Sequence, residues 1–330
     1  MPFIHGAAAQ CVGALAKEER MSLRGRLSLL GAVTVLAAAC STGGATPAPT
    51  AAPTPAPTTA PGTTAPETAA PATPIAGGLL DKVLKAGTIR MSTDPQYPPQ
   101  SSLKSDGTYE GFDIEVGTEI AKRLGVTIAF ETPDWNLLTA GSWGARWDFS
   151  VGSMTITTPR EKALAFSNPY YYTPAQMAAS TASGITTLDG LAGKVICAGE
   201  ATTYYDWLTG GLDLGTYTPK EGPPAGSTAT TLSTDRLCAE TWKAGRKDFE
   251  GWLSSSTTVE QAITEGLPLV KVGDPVYYEP LGVAFDKGGP DPSDMVTRVN
   301  AILDEMRADG TMKTLSEKWF GLDLTVEQGS

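Results

Sequence analysis

Histidine is almost absent from this 330-residue chain, and its one instance, His5, lies close to the N-terminus. Imidazole is the commonest general base and a frequent metal ligand, so its absence from the folded part argues against catalysis or metal binding built on it. Basic residues are also few, since 25 Lys and Arg stand against 36 Asp and Glu, a formal net charge of -11. Nucleic-acid binding needs basic patches. We therefore expect no metal, no cofactor and no nucleic-acid partner.

Long apolar runs are scarce too. The one marked run, Leu27 to Ala39, follows two arginines and ends directly before Cys40. A positive segment, a short apolar run and small residues before a cleavage point are typical of a signal peptide, and the run is too short to span a membrane. We predict a signal peptide over residues 1–39, with translation beginning at Met21.

The three alanines before Cys40 resemble the end of a bacterial lipoprotein signal. Cys40 would then be the lipidated first residue of an exported protein anchored to the outer face of the cell membrane. The next residues, up to Gly78, are almost wholly Ala, Pro, Thr and Gly. Such a composition cannot bury enough apolar surface to fold. We predict that residues 40–78 are the lipid-anchor cysteine and a disordered tether.

Cysteine is rare, with 4 residues in the chain. Cys11 precedes the predicted start and Cys40 is assigned to the lipid, which leaves Cys197 and Cys238. An even pair in an exported, oxidising setting favours a disulfide. The alternative is two separate buried thiols.

Strand and helix signals alternate twice along the remaining roughly 250 residues. The first series predicts helices at 79–86, 112–124 and from 135, and strands at 88–92, 126–130 and 149–151. The second predicts strands at 194–198, 248–253 and 269–272, helices at 233–244, 258–265 and 293–309, and an irregular stretch at 212–231. Two such series indicate two α/β lobes with mostly parallel sheets.

Three loops fall at the carboxyl ends of predicted strands, where such sheets bind ligands: residues 94–100, 152–160 and 199–203. The second loop is the most informative. Pro159 suits the first position of a helix, with Thr158 as its cap, and Arg160 adds a forked positive charge. These groups can hold a carboxylate. The alternative is a capped helix whose arginine meets only solvent.

Four segments of the chain are informative together: TDPQYPP, GFDIEVGTEIAKRLGV, GSMTITTPREKALAFSNPYY and ADGTMKTLSEKWFG. They resemble the family 3 extracellular solute-binding proteins, the polar amino acid receptors of ABC importers. The resemblance implies an α/β fold of the two-lobed periplasmic-binding-protein type II, in which two mostly parallel sheets are joined by two crossover strands. We expect the crossovers near 173–179 and 278–283. Lobe 1 would comprise residues 79–174 plus 282–325, and lobe 2 residues 175–281.

The resemblance also implies a ligand site without catalytic residues. In it, Arg160 holds the ligand carboxylate, Trp135 stacks on the ligand, and Asp94 and Tyr97 meet its side chain. The full set of implied ligand-binding residues is Asp94, Tyr97, Trp135, Ser153, Thr155, Arg160, Thr202, Thr203 and Ser255.

Two positions depart from the family pattern. Gln100 stands where the family usually has Phe. Ser254 or Ser255 falls where the family carries an Asp that binds an α-ammonium group, and a hydroxyl cannot compensate a buried ammonium as a carboxylate does. Glu200 either replaces that charge or is a solvated loop carboxylate.

The sequence thus predicts a monomeric, membrane-anchored solute receptor that binds a small carboxylate-bearing polar ligand and delivers it to an ABC permease. The first alternative is an enzyme on the same fold resembling cyclohexadienyl or arogenate dehydratases, with Asp94 and Glu200 as candidate general acids. The second is a ligand-sensing module that serves a signalling partner.

Overall fold

The computed structural model describes residues 73–327 of the protein, and within that range it has nine α-helices and twelve β-strands. The helices are α1 (Leu79–Ala86), α2 (Phe112–Leu124), α3 (Trp135–Thr139), α4 (Thr158–Glu161), α5 (Thr203–Thr209), α6 (Asp235–Lys243), α7 (Ser256–Thr264), α8 (Ser293–Ala308) and α9 (Thr311–Phe320). The strands are β1 (Thr88–Ser92), β2 (Gln96–Tyr97), β3 (Ser101–Leu103), β4 (Tyr109–Glu110), β5 (Thr127–Glu131), β6 (Phe149–Thr155), β7 (Leu164–Phe166), β8 (Tyr171–Ser180), β9 (Val195–Gly199), β10 (Thr228–Leu232), β11 (Gly251–Ser255) and β12 (Leu269–Asp286).

Nine strands form one sheet in the order β10-β9-β11-β8-β12-β6-β1-β5, with β7 also paired to β12. At one end β1 pairs in parallel with β5 and β6, and at the other end β9 pairs in parallel with β10 and β11. Between these two parallel groups, β8 and β12 are antiparallel to each other and to their outer neighbours. They are the two predicted crossover strands, and their positions confirm the prediction.

Hydrophobic periodicity explains the helices that cover the sheet. On α8, Met295, Val299, Ile302 and Met306 recur at helical spacing, and all four are fully buried, as predicted. Helix α2 buries one face in the same core and ends where Gly125 adopts the left-handed conformation that glycine accommodates best. Helix α2 also packs against β1 and β6, the strands that lead into the site.

Separate clusters of buried side chains lie under the two parallel groups. The first core contains Phe112, Phe149 and the buried faces of α2 and α8. The second group has its own clusters, and one of them contains Cys197 of β9 and Cys238 of α6. These cysteines form a disulfide with an S–S distance of 2.06 Å, which confirms the predicted pairing. The predicted lobe boundaries remain a proposal.

Several predicted boundaries were wrong. Strand β6 continues through Gly152 and Ser153 to Thr155 because β12 pairs with it there. The cap of α4 is Thr157, one residue before the predicted Thr158: its hydroxyl oxygen accepts a hydrogen bond from the Arg160 backbone N–H.

Other elements were not predicted at all. The stretch 212–231, predicted to be irregular, ends in β10, an edge strand whose threonines gain their order from pairing with β9. Helix α9 follows α8 after a left-handed Gly310. The predicted signal peptide, Cys40 and the tether as far as residue 72 lie outside the described residues. No helix in the described part of the chain has the length and apolar character that a bilayer crossing requires.

Candidate functional site

A cavity of about 230 Å³ opens where the strands of both parallel groups end. It receives residues that follow β1, β6, β9 and β10, so the three predicted loops meet there as expected for ligand sites of α/β sheets. Its polar lining consists of Thr93, Asp94, Gln96, Tyr97, Thr132, Asp134, Trp135, Ser153, Thr155, Arg160, Glu200, Thr202, Thr203, Tyr204, Ser233, Thr234, Asp235 and Glu279. Of the nine predicted ligand residues, the structure brings eight to this cavity and leaves out Ser255.

Arg160 contributes the one basic side chain to the lining of this cavity in the described part of the chain, and it is 8% exposed. One terminal nitrogen donates to the Thr155 carbonyl at 2.9 Å and the other donates to the Ala201 carbonyl at 2.9 Å. Its guanidinium carbon lies 5.5 Å from the centre of the Trp135 ring. Burial lowers the pKa of Arg160, opposed by the nearby Asp206 and Glu279. The guanidinium is therefore a fixed, charged group that joins both sides of the cavity.

Two residues of the cavity region hold a backbone conformation that L-residues rarely adopt. Ser153 has a φ of 53° and Ala201 a φ of 54°. The Ala201 carbonyl accepts hydrogen bonds from both Arg160 and the Trp135 indole N–H, the latter at 3.1 Å. Backbone strain of this kind persists only where surrounding contacts impose it, and it concentrates at functional sites.

Glu279, on β12, is the first of two cavity acids that the sequence did not identify. It is 1% exposed, and its carboxylate accepts hydrogen bonds from the hydroxyls of Thr155 at 2.7 Å, Tyr204 at 2.8 Å and Thr203. Burial raises the pKa of Glu279, and the three hydroxyls and Arg160 oppose that rise. Thr155 and Thr203, both predicted to meet the ligand, thus already hold a carboxylate of the protein.

The other predicted residues have clear local roles. Asp94 accepts a hydrogen bond from the Gln96 backbone N–H at 2.7 Å, and burial raises its pKa. Thr202 caps α5 by accepting a hydrogen bond from the Tyr205 backbone N–H. Glu200 is exposed and accepts a hydrogen bond from the Asn136 side chain at 3.1 Å, across the mouth of the cavity.

Ser255 belongs to a buried polar cluster behind the cavity wall. Its hydroxyl accepts from the Tyr97 hydroxyl at 3.1 Å and from the Gln100 amide at 3.3 Å, and donates to Thr258 at 2.8 Å. Gln100 is fully buried and also donates to Thr257 at 2.6 Å. The two departures from the family pattern, Gln100 and Ser255, therefore contact each other.

Asp235 is a second cavity residue that the sequence analysis did not single out. It begins α6 and is 7% exposed. Its carboxylate accepts hydrogen bonds from the Ser254 hydroxyl, from the Trp252 indole N–H at 3.3 Å and from the Gly199 backbone N–H at 3.3 Å. Ser254 is one of the two serines expected at the position of the family aspartate. Its hydroxyl thus donates to a carboxylate that lies on a neighbouring element, at the junction of β10 and α6.

Ser153 is connected to a further buried acid in the first core. Its hydroxyl donates to Asp113 at 2.7 Å, and the Tyr170 hydroxyl donates to the other carboxylate oxygen at 2.7 Å. Burial raises the pKa of Asp113 to about 7, although both hydrogen bonds lower it. The acid of α2 thereby holds the cavity residue Ser153 in its strained conformation.

We expect the protein to lose stability as the pH rises through 7, and Asp113→Asn to remove part of that loss. A carboxyl whose pKa rises from 3.8 in the unfolded chain to about 7 in the folded protein binds an extra proton when folded, so its stabilisation is complete below pH 4 and is lost above pH 7. Between pH 5.5 and pH 8 this amounts to about 2 kcal/mol for Asp113. Urea titrations at the two pH values measure it. An identical difference in wild type and Asp113→Asn would contradict the assignment.

Among residues 73–327, no three His, Cys, Asp or Glu side chains are grouped so that they could hold a metal ion. The carboxylates that line the cavity accept hydrogen bonds from hydroxyl, amide and indole groups instead.

Residues 89–322 match the family described as bacterial extracellular solute-binding proteins, family 3. The L-cystine-binding protein TcyJ of Escherichia coli K12 is 32% identical over 257 residues, which cover 75% of this chain and 88% of that protein. The probable amino-acid-binding protein YxeM of Bacillus subtilis 168 is 31% identical, with the same coverage of 75% and 88%.

Solved structures share the fold. An ancestral amino acid-binding protein, described as a precursor of cyclohexadienyl dehydratase, aligns with a TM-score of 0.62 at 27% identity and covers 73% of this chain and 99% of its own. An ancestral arginine-binding protein bound to arginine aligns with a TM-score of 0.61 at 26% identity, covering 71% and 99%. The sheet order, the two crossover strands and these similarities agree with the predicted type II periplasmic-binding-protein fold. The chain therefore belongs to the bacterial extracellular solute-binding proteins of family 3.

Proposed function

We propose that this protein is the extracytoplasmic solute receptor of an ABC importer, and that its ligand is a small amino acid or a related carboxylate-bearing amine. The observation that carries the proposal is Arg160. It is a buried guanidinium in a small cavity between two groups of strand ends, fixed by carbonyls from both sides. A buried, pre-oriented guanidinium binds a carboxylate strongly because its planar fork matches the two oxygens.

The size of the cavity supports a metabolite rather than a larger ligand. Pockets for drug-sized molecules measure roughly 300–1,000 Å³, whereas this one measures about 230 Å³. Relatives point to the same class of ligand. They include the lysine/arginine/ornithine-binding periplasmic protein of Escherichia coli K12, at 28% identity.

Binding and closure act together in this proposal. Residues 79–174 with 282–325 form one lobe, residues 175–281 form the other, and β8 and β12 are the hinge. The ligand carboxylate enters beside Arg160, and the lobes close over it, which removes water and strengthens the charge-assisted hydrogen bonds. The closed form is the one that the permease recognises.

A ligand screen tests this proposal. Thermal unfolding of the purified protein is followed with L-arginine, L-lysine, L-histidine, L-cystine, the matching amines without a carboxylate, and simple carboxylates. Ligands that bind only the folded state raise the unfolding temperature. We expect stabilisation by at least one amino acid and none by the amines that lack a carboxylate. Failure of every amino acid to stabilise the protein, confirmed by calorimetry, would contradict the proposal.

An enzyme on the same fold is the second candidate, because one structural neighbour is described as a precursor of cyclohexadienyl dehydratase. That neighbour is itself named an amino acid-binding protein. Of the two acids that the sequence suggested for catalysis, Glu200 is exposed at the mouth of the cavity. We expect incubation with prephenate or arogenate to give no product, and turnover of either compound would favour the enzyme.

We propose further that the receptor is a monomer held at the membrane by lipid on Cys40, at the end of the tether 40–78. Two acyl chains on a lipoprotein cysteine anchor a protein stably, whereas a single chain gives only marginal binding.

Cys40→Ser is expected to move the protein from the membrane fraction to the supernatant of fractionated host cells, because the modified thiol is lost. Ser41→Ala is the matched control, since it changes the neighbouring residue and leaves the thiol. Sedimentation of the Cys40→Ser protein with membranes would contradict lipid anchoring.

A further inference from the structure

The cavity has more negative than positive groups. Its lining contains one basic side chain, Arg160, and five acidic ones: Asp94, Asp134, Glu200, Asp235 and Glu279. Asp134 and Glu200 are exposed to water at its mouth. Glu279 accepts hydrogen bonds from several hydroxyls, among them those of Thr155, Thr203 and Tyr204, and lies in the field of Arg160. The deeply buried acid that is not compensated in this way is Asp235.

Asp235 is fixed in place but lacks a counter-charge. Three donors orient its carboxylate: the Ser254 hydroxyl, the Trp252 indole and the Gly199 backbone N–H. A carboxylate offers about four acceptor positions, so one of them remains available. No Lys or Arg within residues 73–327 forms an ion pair with Asp235. Burying an ionised carboxylate is costly without a cation, and a bound ligand can supply one.

Two hydroxyls of the same cavity are separate evidence, independent of Asp235, for a polar ligand. The hydroxyl oxygens of Thr93 and Thr234 are buried and have no hydrogen-bond partner among the described residues. Thr93 is fully buried at the end of β1, and Thr234 directly precedes Asp235. Both line the cavity. Buried polar side chains in native proteins are nearly always hydrogen-bonded, so an unpartnered pair in a cavity indicates a ligand with donors or acceptors of its own.

We propose that Asp235 binds the ammonium group of the ligand, and that Ser254 orients it, so that together they replace the family aspartate at the end of β11. This inference rests on the proposed receptor function. The ligand is then an amino carboxylate whose carboxylate lies on Arg160 and whose ammonium lies on Asp235. Glu200 was considered as a replacement for the family aspartate, but it is exposed and hydrogen-bonded to Asn136. We therefore assign the binding of the ammonium to Asp235.

The same arrangement excludes a class of ligands. A second carboxylate on the ligand would face Asp94, Asp235 and Glu279 with no further cation in the lining. Like charges repel strongly in a cavity closed to water. The site therefore selects amino carboxylates with a net charge of zero or above, and rejects acidic amino acids and dicarboxylates.

The pH dependence of binding gives a readout that a structural role would not produce. Burial raises the pKa of the Asp235 carboxyl to about 7, and Glu279 contributes to that rise. An ammonium ligand favours the ionised form, so binding below pH 7 releases a proton and affinity rises between pH 5.5 and pH 8. The titratable groups that interact with Asp235 are Glu279 on β12, Tyr97 on β2 and Tyr204 on α5. Arg236 follows Asp235 on α6 and pairs with Glu240 and Glu265. Glu200, after β9, lines the same cavity.

The decisive experiment pairs each probe with its desamino analogue. Calorimetry compares L-arginine with guanidinovaleric acid and L-histidine with imidazolepropionic acid, for wild type, Asp235→Asn and Glu200→Gln. For the amino acid that wild type binds, Asp235→Asn is expected to weaken binding at least about 30-fold, the lower bound for losing one partner of a buried charged pair. The desamino analogue should bind wild type and Asp235→Asn alike. Glu200→Gln should bind as wild type does.

Ser254→Ala should show a smaller loss, and Asp235→Asn should also lose the rise in affinity between pH 5.5 and pH 8. Because the analogue binds through the same Arg160, its unchanged affinity excludes a folding defect in Asp235→Asn.

Three results would overturn the inference, and they differ in what they imply for the receptor function. Binding of an amino acid to wild type and Asp235→Asn with equal affinity would refute the role of Asp235 and leave the receptor function intact. Equal loss of the amino acid and its analogue in Asp235→Asn would refute it likewise, since the loss would not involve the ammonium. No binding of any probe to wild type would instead contradict the receptor function, and the inference would fall with it.

Discussion

Arg160→Ala is expected to weaken binding of the carboxylate-bearing ligand by about 30-fold or more, because removing one partner of a buried charged pair costs roughly 2–5 kcal/mol. The loss has two sources. The ligand carboxylate is desolvated without a counter-charge, and the buried Glu279 loses the cation whose field stabilises its ionised form. Calorimetry with the amino acid identified by the ligand screen measures the effect.

Arg160→Lys should restore little of this affinity. The guanidinium uses two of its nitrogens to span the Thr155 and Ala201 carbonyls, on opposite sides of the cavity. A single ammonium cannot hold both carbonyls and also present a planar pair of donors to a carboxylate. Recovery of wild-type affinity by lysine would show that only the charge matters and would contradict the forked geometry.

Lys162→Ala provides the matched control, since Lys162 is exposed two residues from Arg160 and its removal changes the net charge by the same amount. The control separates the local interaction of Arg160 with the ligand from long-range electrostatic attraction. Dissolved salt screens such attraction between exposed charges. We expect it to bind as wild type does. A comparable loss in Lys162→Ala would indicate a general electrostatic effect on the ligand carboxylate.

Local patterns in the sequence were sufficient to predict most of the fold. Helix α8 follows from the spacing of Met295, Val299, Ile302 and Met306, and the two crossover strands follow from the family resemblance. Strand β10 could not be predicted in this way. Its threonine-rich segment has little apolar alternation of its own, and its order comes from pairing with β9, which is a long-range contact.

Cavity residues that belong to a sequence motif could be predicted. Cavity residues that reach the site only through tertiary packing could not. Arg160 sits in a distinctive turn sequence, and the structure places it in the cavity. Glu279 lies inside a predicted crossover strand, and an acid in such an apolar segment was the available signal. Asp235 looks like an ordinary acidic residue at a helix start, where acids favour the helix dipole. The hydrogen bond from Ser254 of β11 is what reveals that the Asp235 carboxylate is held within the cavity wall.

Strand alternation explains why the sequence could not choose between Ser254 and Ser255. Successive side chains of β11 point to opposite faces of the sheet. Ser254 therefore reaches Asp235, while Ser255 reaches Tyr97 and Gln100 on the other face. A shift of one residue in the pairing of β11 with β8 would exchange these roles.

Loss of the Cys197–Cys238 disulfide is expected to have the largest effect on stability of any single change considered for this chain. The two cysteines are 41 residues apart, and the chain-entropy model gives about 4 kcal/mol for a loop of that length. For a folded part of this size, each kcal/mol corresponds to roughly 2–4 °C in the unfolding temperature, so a decrease of about 8–16 °C is expected. Urea titration of the Cys197→Ala/Cys238→Ala variant, compared with wild type, measures the change in the free energy of unfolding.

The disulfide also connects the strand that leads into the cavity to the helix that carries Asp235. Cys197 lies two residues before Gly199, whose backbone N–H donates to Asp235, and Cys238 lies one helical turn after Asp235 on α6. Refolding wild type in the presence of a reductant separates the covalent bond from the packing of the two side chains. The reductant should bring wild type close to the alanine variant and leave that variant unchanged. Equal stability of oxidised and reduced wild type would show that the bond adds nothing beyond packing.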